Sequence, residues 1–286
     1  MRKLSGKGVI GALLGLLIIA SSAFGSSHNP SKQFAQFAEC PLSKPTVSDC
    51  VHAVIESGAF EIGNRSVTIL NPVTLQGGFE GEGSEIKFYG AENGDTLSKT
   101  SQPVPRGMVG VTAPSWWPQF LQDWFNKEIE DGSSAVNATL ELTGPSKGLT
   151  EVSLSTENLL LEKGTALGLP AKFHLENPLL GSNCYLGWES VPIQLDFTSS
   201  TDGALKGDAG AFTFNKAFSI TTIAGSTLVT DSFTVPRAEG CGGIFSFFID
   251  PLVNSVLDLP AEAGTNVAVL RGKLQDGNAE AVKKSE

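Results

Sequence analysis

Residues that could act as nucleophiles or bases are few in this sequence, and their spacing gives them little support. Ser146 lies in GPSKG, which has the G-x-S-x-G spacing of a hydrolase nucleophile elbow. That elbow needs a helix after the serine, but the following LTEVSLST alternates like a strand, so we interpret GPSKG as a hairpin loop. Of the three histidines, His174 falls on the outward face of a predicted strand, beside Lys172 and Glu176. Nothing in the sequence favours a Ser-His-Asp triad.

Carboxylates supply the other candidate chemistry. Glu80 and Glu82 lie in the glycine-rich run GGFEGEGSE, and Asp95 follows in GAENGD. Two carboxylates at a suitable separation are enough for a glycosidase, and several could coordinate calcium. Because the ordered spacing of an EF-hand loop is absent, the sequence favours a solvated acidic loop. Calcium binding by Glu80, Glu82 and Asp95 is the alternative hypothesis, and no other cofactor is predicted.

Four cysteines occur, and no C-x-x-C motif is among them. An even number in an exported chain indicates two disulfides, which allow three pairings. We predict Cys40 with Cys50, across the short loop CPLSKPTVSDC, and Cys184 with Cys241. The second pair closes the longer loop and should contribute more to stability.

The stretch APSWWPQFLQDWFNKEIED holds three of the four tryptophans. Ser115 is a candidate N-cap, and apolar residues then recur at helical spacing, so we predict an amphipathic helix that ends at Gly132. Packing of this stripe in the core is the favoured interpretation. The alternative is an exposed platform for a ligand or partner formed by Trp116, Trp117 and Trp124, in which Trp116, off the main stripe, is the residue expected to be exposed. A basic polar face, usual in membrane-surface helices, is missing.

Most of the remaining chain alternates between apolar and polar residues with a period of two. VNATLELT, AKFHLE and IQLDFT are the clearest cases, and glycine, proline, asparagine and aspartate separate many such segments. This pattern predicts an antiparallel β-sandwich or barrel-like domain with one or two short amphipathic helices. Besides the tryptophan stretch, only GGIFSFFIDPLVNSVLDLP breaks it.

The N-terminus has the layout of a secretory signal peptide, with basic residues before the short apolar run VIGALLGLLIIA and small residues after it. We predict a signal peptide over 1–25, a mobile tail over 26–37, a single β-rich domain over 38–275 and a mobile tail over 276–286. No transmembrane segment is predicted in the mature chain. The formal net charge of −10 becomes −13 without residues 1–25, which argues against nucleic acid as a partner.

Several segments, among them FAECP, IGNRSVTI, NPLLGSNCYLG and DPLVNSVLDLP, together resemble an uncharacterised family of secreted actinobacterial proteins. The resemblance covers nearly all of the mature chain. It implies a bacterial, exported protein, and it brings no assigned activity or catalytic residue.

Two functions follow as expectations. The first is a secreted or envelope-associated non-catalytic β-domain with a binding or structural role, whose unknown partner could be a cell-envelope component, a lipid or a glycan. The alternative is a secreted hydrolase that uses acidic residues such as Glu80, Glu82 or Asp95.

Overall fold

The computed structural model describes residues 29–81, 86–144 and 152–286. The predicted signal peptide, Glu82 and Ser146 lie outside these ranges. The described residues form sixteen strands, and the helices are fewer and short. The strands are β1 (Val47–Ile62), β2 (Arg65–Thr68), β3 (Val73–Glu80), β4 (Lys87–Gly90), β5 (Ser101–Val104), β6 (Val136–Leu142), β7 (Ser153–Leu154), β8 (Leu167–Glu176), β9 (Tyr185–Leu186), β10 (Ile193–Phe197), β11 (Thr201–Asp202), β12 (Leu205–Lys206), β13 (Ala211–Asn215), β14 (Ile220–Thr230), β15 (Ala238–Glu239) and β16 (Val267–Asn278). The α-helices are α1 (Gln119–Glu130), α2 (Thr156–Leu161), α3 (Ser246–Leu257) and α4 (Ala279–Lys284), and 3₁₀ turns cover Lys32–Phe37 and Gly243–Phe245.

The first sheet is antiparallel and has the strand order β13-β14-β16-β1-β3-β4, with β2 also paired to β1. The long strand β1 forms its centre together with β16, in a register that opposes Asp49 to Asn278. The first part of β1 pairs with β3 on its other side, and its last residues pair with β2 through a tight turn.

The second sheet has the order β15-β9-β8-β6-β5, and β7 and β10 also pair with β8. One cluster of buried residues joins the two sheets, and the rings of Phe60 and Phe173 meet across it with their centroids 5.1 Å apart. The two sheets are not closed into a barrel, so the fold is a mainly antiparallel β-sandwich with short helices, as the alternating pattern predicts.

The segments with the clearest alternation became strands. In β10, Ile193, Leu195 and Phe197 are fully buried and the residues between them are exposed. The interpretation of TEVSLST as a full strand was wrong. Among its described residues only Ser153 and Leu154 form a strand, and Ser155 then caps α2 by accepting a hydrogen bond from the Asn158 N–H at 3.1 Å. A serine before a short apolar run can bond a backbone N–H of the following turn, which favours a helix over continuation of the strand.

Both predicted disulfides are confirmed. Cys40 is bonded to Cys50, and Cys184 to Cys241. The second bond ties the segment before β9 to the segment after β15, next to α3.

The two segments predicted to be mobile tails, 26–37 and 276–286, pack against each other through their described residues. Phe34 and Phe37, in the 3₁₀ turn, form a small second core with Ala279 and Val282 of α4. The Ser31 N–H also donates to the Ser285 carbonyl at 3.2 Å. The two ends supply each other's apolar contacts, which no local sequence pattern reveals.

Among the described residues, no helix is both long enough and apolar enough to cross a membrane.

Candidate functional site

Helix α1 begins later than the sequence suggests. Pro118, rather than Ser115, occupies the N-cap position, and its carbonyl accepts hydrogen bonds from the N–H groups of Leu121 and Gln122. The predicted cap fails because a residue before proline is disfavoured in the helical region, which keeps Trp117 out of the helix. The helix ends where predicted, since Gly132 takes a φ of 102° directly after the Asp131 cap.

The predicted apolar stripe is divided between the core and the solvent. Leu121 and Phe125 are fully buried, and Trp117 is only 3% exposed and packs edge-on against Phe125 at 5.4 Å. In contrast, Phe120 is 69% and Trp124 38% exposed. A stripe more than one side chain wide cannot face the core entirely, so its edge turns outward along α1.

Helix α3 lies beside α1 and is anchored to the second disulfide. The Asn254 side chain accepts from the Ala238 N–H at 2.7 Å and donates to the Ala238 carbonyl at 3.0 Å, which fixes α3 to β15. The Asp250 carboxylate accepts from the Cys241 N–H at 2.7 Å. Burial raises the pKa of Asp250, although the N–H groups of Cys241 and Gly240 oppose the change.

Helix α1, the segment before it, α3 and the turn before α3 expose several aromatic and aliphatic side chains. We call this set the aromatic surface; its exposed members are Trp116, Phe120, Trp124, Ile244 and Phe247. The rings are in contact beneath it, since Trp116 stacks on Phe248 at 5.8 Å and Trp124 meets Phe245 at 5.9 Å. Ring contacts between the segment that contains α1 and the segment that contains α3 therefore lie beneath these exposed apolar side chains.

The structure separates the three predicted contact residues. Trp116, at 57% exposed, and Trp124 belong to the aromatic surface, but Trp117 is a core residue and cannot contact a partner. Sequence reasoning missed Ile244 and Phe247, the two most exposed members. The only signal for them was that GGIFSFFI breaks the strand pattern next to a disulfide.

A polar cleft with a volume of about 660 Å³ lies on another part of the protein. Lys172 is its most strongly held charge, with its ammonium 2.9 Å from Glu189, 3.7 Å from Glu141 and 4.6 Å from the centre of the Tyr185 ring. Partial burial opposes the charged ammonium, but the hydrogen bond to Glu189 and the charges of Glu189 and Glu141 outweigh it and raise the pKa of Lys172. His174 also stacks on Tyr185 at 4.5 Å. These contacts hold the Lys172 ammonium between the carboxylates of Glu141 and Glu189 at the wall of the cleft.

The acidic residues singled out from the sequence do not converge in the described part of the chain. Asp95 is exposed and lines the polar cleft, whereas Glu80 ends β3, where hydrogen bonding from Tyr89 lowers the pKa of Glu80. The described residues contain no group of three or more histidine, cysteine, aspartate or glutamate side chains that could hold a metal ion. Calcium binding that involves Glu82 stays a prediction.

No protein-family model, no curated protein and no solved structure matches this chain, and the resemblance to secreted actinobacterial proteins stays a prediction.

Proposed function

We propose that this protein is an exported, non-catalytic β-domain that attaches to the surface of a lipid layer through its aromatic surface. The observation that carries the proposal is the exposure of Ile244, at 92%, and Phe247, at 77%, next to two exposed tryptophans. Such side chains lower the free energy of the protein when they leave water. Two disulfides fit an oxidising compartment outside the cytoplasm.

The charge distribution favours lipid over the other partners considered. Three of the five exposed members of the aromatic surface lie in the stretches 109–118 and 241–249, which contain no charged residue, whereas Phe120 and Trp124 flank the exposed Asp123 on α1. Recognition of a glycan needs convergent polar side chains that bond the sugar hydroxyls. Tryptophan and phenylalanine are also enriched in protein interfaces, so a second copy of this chain is the competing partner. Because the whole chain is acidic, an uncharged apolar surface suits a neutral lipid layer better than an anionic one.

Replacing Trp116 and Phe247 together with serine is expected to weaken binding to vesicles of neutral phosphatidylcholine roughly 100-fold, since each side chain contributes on the order of 1.5 kcal/mol. Co-sedimentation with vesicles and the blue shift of tryptophan emission would measure the change. Wild-type binding should depend little on salt, because apolar contact and not charge drives it.

A matched control is available on β13, an edge strand of the first sheet. Phe212 and Phe214 are 53% and 50% exposed and lie on the same face, so their double replacement with serine removes the same kind of side chain elsewhere. Equal losses in the two double variants would contradict the proposal. So would a wild-type protein that ignores vesicles and dimerises through Trp116 and Phe247 in sedimentation experiments.

A further inference from the structure

Strand β13 forms an open edge of the first sheet. All five of its residues are exposed, and it pairs on one side only, with β14. The edge extends back to Asp208, which faces Thr227 in the same register and exchanges two backbone hydrogen bonds with it, each at 2.9 Å. Among the described residues, no backbone N–H or carbonyl from Ala211 to Phe214 bonds to a group outside β14. The groups that face away from β14 are therefore open to a further strand.

The other strands at the ends of the two sheet orders each carry a feature that discourages pairing. β4 contains Lys87, β5 contains Pro103, and β15 is only two residues long and contains Glu239. Charged side chains, proline and short length are common protections of edge strands. β13 contains no charged residue and no proline, and its five pairs with β14 are not interrupted by a bulge. Of these four edges, β13 is the one suited to pairing.

The aromatic side chains of β13 extend the apolar inner face of the first sheet to this open edge. Phe212 lies directly opposite Ile223 of β14, and residues directly opposite each other share a face of the sheet. Ile223 is fully buried in the main core, whereas Phe212 and Phe214 are about half exposed. A strand added beside β13 would cover both rings.

The two ends of the edge carry opposite charges. Asp208 and Lys216 are both exposed, the residues between them are uncharged, and Phe212 lies at the midpoint. Antiparallel pairing of two copies about Phe212 therefore places Asp208 of each copy opposite Lys216 of the other, whereas parallel pairing brings like charges together. In the antiparallel register Phe214 faces Gly210 of the other copy, which has no side chain to obstruct the ring. The edge is thus complementary to itself.

We propose that β13 is a dimerisation edge, through which two copies of this chain pair antiparallel about Phe212 and join their first sheets into one continuous sheet. Because the two-fold axis satisfies both edges at once, assembly stops at the dimer. The paired strands are short, so the buried area is below that of a standard interface, and we expect a dissociation constant on the order of 100 μM. At about 1 μM the protein is then monomeric, so vesicle binding measured there is independent of this pairing.

Sedimentation equilibrium of the whole folded protein, from roughly 10 to 1,000 μM and without vesicles, tests the proposal. The expected result is a reversible equilibrium between monomer and dimer. Hydrogen exchange of the amides in 211–214 should be slower at the highest concentration than at the lowest, because the new strand pairing protects those that face away from β14. Dimerisation without this protection would show that another surface forms the contact.

Two double variants separate this edge from the aromatic surface. Replacing Phe212 and Phe214 with serine should weaken dimerisation roughly 100-fold, so that no dimer is detected over the measured range. Replacing Trp116 and Phe247 with serine should leave the dimer unchanged. The reverse pattern would assign dimerisation to the aromatic surface and overturn the proposal.

Exchange of the two end charges tests the antiparallel register. Lys216→Asp and Asp208→Lys each place like charges opposite one another at both ends of the interface and should weaken the dimer about tenfold. The Asp208 carboxylate also accepts from the Gly210 N–H at 2.7 Å, so the single variant alone has two interpretations. The variant with both changes restores opposite charges and should recover wild-type affinity. Lys206→Asp, at an exposed position of β12, is the matched control and should change nothing.

A protein that stays monomeric at roughly 1,000 μM would overturn the proposal. Assemblies larger than a dimer would contradict closed pairing through one edge, and failure of the charge exchange to restore affinity would contradict the antiparallel register. Each of these results leaves vesicle binding by the aromatic surface as a separate question, because the two surfaces share no residue.

Discussion

Replacing Asp276 with asparagine is expected to stabilise the protein at pH 8 by about 2 to 4 kcal/mol and to have little effect at pH 4. Burial and the negative charge of Asp49 raise the pKa of Asp276 to about 7. Asp276 follows Leu274 on the same face of β16 and lies opposite Val51 of β1, and its Oδ1 atom has no hydrogen-bond partner among the described residues.

The sign of this pH dependence follows from where the proton is held. Between about pH 4 and pH 7 the unfolded chain releases the Asp276 proton while the folded protein keeps it, so the free energy of unfolding falls as the pH rises. The asparagine variant has no proton to release and escapes this loss. His52 on β1 changes in the opposite direction, because burial and then the charge of Lys273 lower the pKa of His52, and its contribution is lost as the pH falls.

Urea unfolding of wild type and the Asp276→Asn variant from pH 4 to pH 8 measures the effect. Their difference should grow up to about pH 7 and then stay constant. Asp123→Asn makes the same change of charge at an exposed position of α1 and serves as the control. A difference that does not vary with pH would show that Asp276 ionises in the folded protein as it does in the unfolded chain.

Removal of the Cys184–Cys241 disulfide, with both cysteines changed to alanine, is expected to lower the free energy of unfolding by about 4 kcal/mol. The two cysteines are 57 residues apart, so the bond closes a long loop and restricts the unfolded chain strongly. Both are fully buried in the main core, beside the turn that carries Ile244.

The other disulfide is a matched comparison, because Cys40 and Cys50 are also buried but only 10 residues apart. Its removal should cost about 3 kcal/mol, less than the longer loop. Urea unfolding of both double-alanine variants tests the order. A larger loss from the Cys40–Cys50 pair would contradict the loop-length argument and indicate strong dependence on the small second core.

Features that depend on local sequence could be predicted. The alternation in IQLDFT predicted β10, and the even number of cysteines with one pair across a short loop predicted both disulfides. Each depends on neighbouring residues or on a small number of pairings. A period of 3.6 predicted α1 but could not say how much of its stripe the core covers, which is why Phe120 and Trp124 were expected inside.

Features that depend on contacts between distant segments could not be predicted from the sequence. The aromatic surface joins α1 to α3, two segments whose contact no local pattern in the sequence indicates. The order of strands could not be predicted either, because β1 pairs with β16, the last strand in the sequence.

The place of β16 in the middle of the first sheet makes its pairing a late step of folding. Its partners β14 and β1 are both made earlier, and the pairing of Asp49 with Asn278 joins opposite ends of the described chain. Pairings between such distant segments form slowly. Until residues 267–278 are synthesised, β1 and β14 each present an open edge that can pair with another chain. The risk of aggregation is therefore greatest in chains in which β16 has not yet paired with β1 and β14.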